Sequence, residues 1–305
     1  MNKSRVVFKD KKPNINVSRM VTAFKKLDEK IDTEIKGQFN QTVIIKSGNV
    51  TVKNSELDCE FETEFDDDTA ANEAEIIIYN LTDKTINQFK HNAKITITAG
   101  YGTDTGVIFS GFIVDKETYF EDVDKVTVIR VLDDRNREER EIENISYSAN
   151  TKASYILKDL CGRVGLPIAV FKVTRDYTYT DEVTVDGDLF DKIKDYAEVC
   201  GVSAYICKSK LYVRSLKDGD NTYFKLSAET GLLSVAEFEK KSKSKEFGEE
   251  VIKGFKIECL LQHRIQTASI IELDSKNYKG EFRVKSGEHR YNGSDFITKA
   301  TIVQV

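Results

Sequence analysis

Histidine, cysteine and the carboxylates are the side chains here that could do chemistry. The histidines are His91, His263 and His289. None falls in an HExxH helix, and none is spaced with cysteine as a zinc site, so metal-assisted hydrolysis has no ligand set in the sequence. Cys200 and Cys207 straddle an expected helix end and strand, and read as two packed thiols rather than ligands. No sequence context supports a Cys–His nucleophile. The stretch Gly100–Gly106, GYGTDTG, has the glycine content of a phosphate loop. It lacks the Gly-Lys-Ser/Thr ending and joins two expected strands, so it reads as a turn. Glycoside hydrolysis needs two carboxylates at the correct separation, and among 51 acidic residues the sequence singles out no pair. Asp66-Asp67-Asp68 is expected as a hydrated turn, since the EF-hand spacing and its terminal glutamate are missing. We assign no catalytic residue, no cofactor-binding residue and no metal ligand.

Composition bounds the rest. A chain of 305 residues, 40% hydrophobic and 32% charged, can build a core in two or three domains. A net charge of −5 gives no support for specific nucleic-acid binding. Five cysteines without paired short spacings argue against a disulfide framework and fit a reducing cytosol. The N-terminus has no apolar signal core, and no run reaches the roughly 20 apolar residues that span a bilayer. The expectation is a protein that does not insert in a membrane by itself.

The elements follow from periodicity. Residues 1–14 are basic. Met20, Phe24, Leu27 and Ile31 recur at helical spacing after Ser18, which marks an amphipathic helix and a candidate subunit interface. In Gln41–Phe65, Leu57, Cys59, Phe61 and Phe65 alternate with Asp58, Glu60, Glu62 and Glu64. That strand has one apolar face and one ladder of carboxylates, which must meet solvent, a channel or a basic partner. Asn72–Lys116 reads strand, short helix capped by Asn80 or Thr82, strand, glycine turn, strand. Asp133–Glu143 is a mixed-sign charge run, expected as a solvated helix or connector. Thr151–Val164 is a helix capped by Asn150 or Thr151 and ended by Gly165 and Pro167. A second helix starts at Asp186 or Asp188 and stops at Gly201. Val202–Cys207 and Leu211–Ser215 form a hairpin. Glu237–Glu250 is charged and of low complexity, expected as a loop. Alternation resumes at Phe255, with further strands separated at Asn277–Gly280, Ser286–Gly287 and Asn292–Gly293. The division expected is 1–37 tail and helix, 38–145 first β-domain, 146–218 small α+β domain, and 219–305 second β-domain.

The ordered set Asn80-Leu81, Ala99-Gly100-Tyr101 and Gly111-Phe112-Ile113 resembles the first domain of baseplate hub proteins of contractile phage tails and R-type, diffocin-like tail bacteriocins, the late-control hub family. Leu132-Asp133-Asp134-Arg135 is similar to the close of that domain. Thr230-Gly231-Leu232-Leu233 is similar to the exit from the middle one, without the proline that often follows. Lys279–Val284 with Ser286–His289 resembles the last strands. The resemblance spans about 41–305. It implies a mainly β fold, with two tail-tube-like barrel or sandwich domains flanking the α+β insert. It implies a non-enzymatic homotrimer that joins a hexameric tail tube to a trimeric spike, with tape-measure and other baseplate proteins as further partners and no cofactor. It also implies assembly in the bacterial cytoplasm. Asp58, Glu60, Glu62 and Glu64 then become candidate lumen-facing residues. Two alternatives stay open, a tail-associated cell-wall hydrolase and a carbohydrate-binding β-module. The second needs exposed clustered aromatics, and Tyr177, Tyr179, Tyr205 and Tyr212 look scattered along the chain.

Overall fold

The computed structural model describes residues 40–134, 140–244 and 248–305, with backbone alone between 240 and 252. The expected helix carrying Met20, Phe24, Leu27 and Ile31 lies outside the described residues. The described chain is mainly β.

The first β body comprises β1 (Gln41–Ser47), β2 (Val50–Lys53), β3 (Cys59–Phe65), β4 (Glu73–Tyr79), β5 (Lys94–Tyr101), β6 (Asp104–Glu121) and β7 (Asp124–Leu132). Burial alternates along β1 to β4 as the sequence alternates, while β6 and β7 carry continuous buried runs at Ile108–Ile113 and Val126–Ile129. Val43 and Ile45, Ile76 and Ile78, Ile95 and Ile97, and Ile129 and Val131 all point into one core. The short helix α1 (Asp83–Ile86) is capped by Thr82, whose hydroxyl accepts from the Thr85 amide. Ile86 and Phe89 enter the same core. Strand β6 runs past Lys116, where the expected strand ends, to Glu121. Its first half pairs with β5 and its second half with β7.

A second core gathers under α2 (Ala153–Arg163) and α3 (Leu189–Val199). Around them lie β8 (Glu141–Tyr147), β9 (Ile168–Phe171), β10 (Val183–Asp188), β11 (Ser203–Cys207) and β12 (Lys210–Arg214). Asp188 caps α3 by accepting from the Phe190 and Asp191 amides. Helix α2 departs from expectation: its N-cap is Lys152, with no side-chain cap. Asp176, from a later loop, accepts from the Ser154 amide at 3.0 Å and its hydroxyl at 2.6 Å. Of the charge run 133–143, Asp133 and Asp134 are buried and Glu141–Glu143 belongs to β8, so those residues are not a solvated helix or connector.

The third core is built by β13 (Asp220–Ser227), β14 (Leu232–Ser244), β15 (Gly248–Leu260), β16 (Ser269–Asp274), β17 (Lys279–Tyr291) and β18 (Phe296–Gln304). The expected loop 237–250 is instead the body of a hairpin, paired from Leu232↔Cys259 out to Ser244↔Gly248. Backbone pairing in a two-stranded ribbon asks for no apolar side chain, so a charged composition does not exclude it. Ser286 and Gly287 lie inside β17, paired with Thr301 and Ala300 just after a bulge at Lys285, and are not a turn between strands.

The two β bodies are not separate sheets. Antiparallel pairing of β17 with β3, from Gly287↔Phe65 to Tyr291↔Phe61, joins them into one 13-stranded sheet. Its main path runs β14-β15-β18-β17-β3-β4-β7-β6-β5-β1-β2. Among the described residues this path is open, not a closed barrel. Phe61, Tyr291, Phe296 and Tyr101 form a chain of ring contacts, so residues from both ends of the sequence share the first core.

Candidate functional site

Where the three cores meet, the chain buries charge. Arg283 on β17 is 0% exposed. It donates from Nη1 to Asp67 Oδ2 at 2.7 Å and from Nε to the Asp218 carbonyl at 3.0 Å. Lys285 donates to Asp67 Oδ1 at 2.7 Å. Asp67 therefore sits between two cations rather than in a hydrated turn. A buried carboxylate is tolerable because each oxygen has a charged donor.

The neighbouring contacts belong to the same joint. Arg214 on β12 grips Asp220 with two parallel bonds, at 3.0 and 2.8 Å, and donates from Nε to the Tyr205 hydroxyl at 2.8 Å. Its guanidinium lies over Tyr205 and Tyr212, which stack at 5.2 Å. Asn72 donates its backbone and side-chain N–H groups to Asp133, both at 2.9 Å, and its amide also reaches the Ile206 carbonyl at 2.8 Å. Burial pushes the Asp133 carboxyl up to about 7, against the Asn72 hydrogen bonds and with added repulsion from Asp134 and Asp66. Two residues at the β11–β12 turn close the exposed edge of β6: Lys208 donates to the Val107 carbonyl and Ser209 to the Ser110 carbonyl. At the β5–β6 turn, Arg264 holds Asp104 by two bonds at 2.7 and 2.8 Å, with His263 at 3.1 Å. The Arg264 guanidinium holds the Asp104 carboxyl down to about 2.

What these contacts do is fix the mutual angle of three bodies. The sequence gives each partner as an ordinary surface charge. The only local signal is Asp-Asp-Asp and Asp-Asp placed at strand ends, where a lone charge would otherwise face water.

The predicted carboxylate ladder is one face of the sheet. Asp58, Glu62 and Glu64 are exposed, and Glu60 is half-buried and accepts from the Tyr79 hydroxyl at 3.0 Å. The face continues sideways. Glu64 lies opposite Glu288, and Glu62 lies opposite both Arg290 and Glu75. Two bases are engaged at its margins, Lys299 with Glu288 at 2.9 Å and Arg130 with Asp115 at 3.1 Å.

The histidines do not converge. His91 meets the Val114 carbonyl, and His263 meets Asp104. His289 is wholly buried against Phe65, with its ring pushed down to about 3 by burial. Cys200 and Cys207 lie in different clusters, and the thiol whose charge bears on Cys161 is Cys200. All five thiols are buried, and burial pushes the Cys161 thiol up to about 12. Among the described residues no group of three or more His, Cys, Asp or Glu is placed to hold a metal ion. No helix among them is long and apolar enough to cross a membrane.

A large open sheet with a small α+β insert is an arrangement this chain shares with solved tail proteins. The 43 kDa tail protein of prophage MuSo2 from Shewanella oneidensis superposes with TM-score 0.62 at 7% identity, covering 87% of this chain and 98% of that one. A tail protein from Neisseria meningitidis MC58 gives 0.60 at 8% identity over 87% and 97%. The E. coli c3393 protein, described as a component of the type VI secretion system similar to T4 tail proteins gp27 and gp5, gives 0.57 at 12% over 86% and 76%. The sequence has no significant match among curated proteins. The model of the baseplate hub gp41 family matches residues 14–278, and the chain belongs to that family. It is a structural protein of a phage-tail baseplate.

Proposed function

We propose that this hub is a homotrimeric symmetry adaptor that receives the tail tube on one side and the central spike on the other. The observation that carries the reading is the seam between β3 and β17. It sets two β bodies side by side in one rigid sheet, so three copies offer six β bodies to a sixfold tube while keeping threefold symmetry for a spike. The VgrG complex with PdpA from Francisella, TM-score 0.53, supports a spike-side partner.

In this reading 38–145, 146–218 and 219–305 are three modules held by the charged joint. Residues 1–37 are an arm whose Met20, Phe24, Leu27 and Ile31 engage a neighbouring subunit. Asp58, Glu60, Glu62 and Glu64 face the lumen, where like charge keeps a nucleic-acid backbone from sticking. In this reading the role is structural and not enzymatic, which the match to a baseplate hub family supports. Assembly takes place in the bacterial cytoplasm, before the protein becomes part of a phage or bacteriocin baseplate that also holds the tape-measure protein.

Light scattering of the purified chain, alone and mixed with the tube and spike proteins encoded beside it, tests this. We expect a mass of three chains, alone or on adding one of those partners. A chain that stays monomeric with every neighbour overturns the adaptor.

A further inference from the structure

The α+β body carries a concave patch that assembly through the sheet leaves unused. Tyr179 and Tyr196 form its wall, and Thr184, Lys192 and Asp195 its rim, around a cavity of about 220 Å³. Tyr177 meets Tyr179 edge-on at 4.9 Å, and Tyr179 meets Tyr196 at 6.2 Å. Tyr177 is 54% exposed, and Tyr155 on α2 is 64% exposed. Of the tyrosines that look scattered in sequence, Tyr177 and Tyr179 join Tyr196 here, while Tyr205 and Tyr212 stack apart from them at the charged joint.

The loop presenting Tyr177 and Tyr179 has little regular structure, yet it is fastened at both ends. Arg175 donates to the Val199 and Glu198 carbonyls at the end of α3, at 2.9 and 2.6 Å. Asp176 grips the start of α2 through Ser154. Tyr179 exchanges backbone bonds with Asn150 and Thr151 at 2.7 and 3.0 Å. Tyr179 packs on the second core while Tyr177 stands exposed beside it, so both rings are ordered before a ligand arrives, which lowers the cost of binding one.

The size and chemistry of the cavity select the ligand. It is smaller than the roughly 300 Å³ at which drug-sized pockets begin, so it takes a single ring. Its polar rim pairs one base with one acid, Lys192 and Asp195 at 4.0 Å, which disfavours a charged guest. Aromatic walls offer π faces to C–H groups, and the rim offers a hydroxyl, an ammonium and a carboxylate to neutral hydroxyls. We propose that this cavity binds one ring of a neutral saccharide.

The test uses the full chain with chitotriose and maltotriose as probes, read by saturation-transfer NMR and titration calorimetry. We expect transfer from protein aromatic protons to sugar C–H protons for at least one probe. Tyr179→Ala should weaken that binding about tenfold or more. Tyr179→Phe should retain most of it, which separates loss of the ring from loss of the fold. Tyr177→Ala, at an exposed position, should weaken binding while leaving the mass seen by light scattering unchanged, so the saccharide site and the adaptor fail independently. Absence of transfer from both sugars, equal binding by Tyr179→Ala with the fold intact, or saturable binding of a proline-rich peptide in place of sugar overturns the proposal.

Discussion

Asp67 and Asp133 show how partners decide the fate of a buried carboxyl. Asp67 accepts from the cationic side chains of Arg283 and Lys285 inside the joint. Asp133 takes its hydrogen bonds from a neutral asparagine, and burial lifts it from 3.8 to about 7. The folded state therefore binds the Asp133 proton more tightly than the unfolded chain. Its contribution to stability is complete below pH 3.8 and is lost as pH rises through about 7. We expect Asp133→Asn to flatten the fall in thermal midpoint across that window, measured by calorimetry at a series of pH values. The swap should also cost about 1–3 kcal/mol at low pH, because an amide donor then faces the Asn72 amide. For Arg283→Met the expected loss is about 3–5 kcal/mol in urea unfolding, since half the positive charge on a buried carboxylate disappears.

Elements whose information is local were legible. The isoleucine alternation of β4 and β5, the Thr82 and Asp188 caps and the β11–β12 hairpin all follow from neighbours in sequence. What was not legible depends on distant partners. Helix α2 borrows its cap from Asp176, and the charged run after Glu237 is strand because β15 runs beside it. Ser286 and Gly287 read as a turn until β18 and β3 are placed on either side of β17. Gly287 is required there by close approach. A Cβ would enter contact distance of the Lys299 carbonyl and lie 2.6 Å from the Phe65 ring, which crosses over it. We expect Gly287→Ala to destabilise the fold by about 1–3 kcal/mol, with hydrogen exchange rising first in β3 and β17.

At the scale of the molecule, the sequence shows two β regions and an insert, and the family resemblance supplies their order. Their fusion is absent from both. It needs Phe61 to meet Tyr291 and Asp67 to meet Arg283, pairs more than two hundred positions apart that no local pattern connects. The carboxylate face was readable as a ladder on β3, but its continuation through Glu75 and Glu288 was not, because strand order is a property of the whole sheet. A shared sheet and a shared charged joint should make 41–305 a single cooperative unit. Calorimetry is expected to give one transition whose van't Hoff and calorimetric enthalpies agree, and separate melting of the two β bodies would contradict it.

The seam also sets how the molecule carries load. Its hydrogen bonds lie across the strands, from Gly287↔Phe65 to Tyr291↔Phe61. Tension along β3 and β17 stretches those bonds together, in shear. Tension at right angles opens them one at a time, as a zipper. The strand direction at the seam therefore defines the axis along which the molecule is mechanically strong.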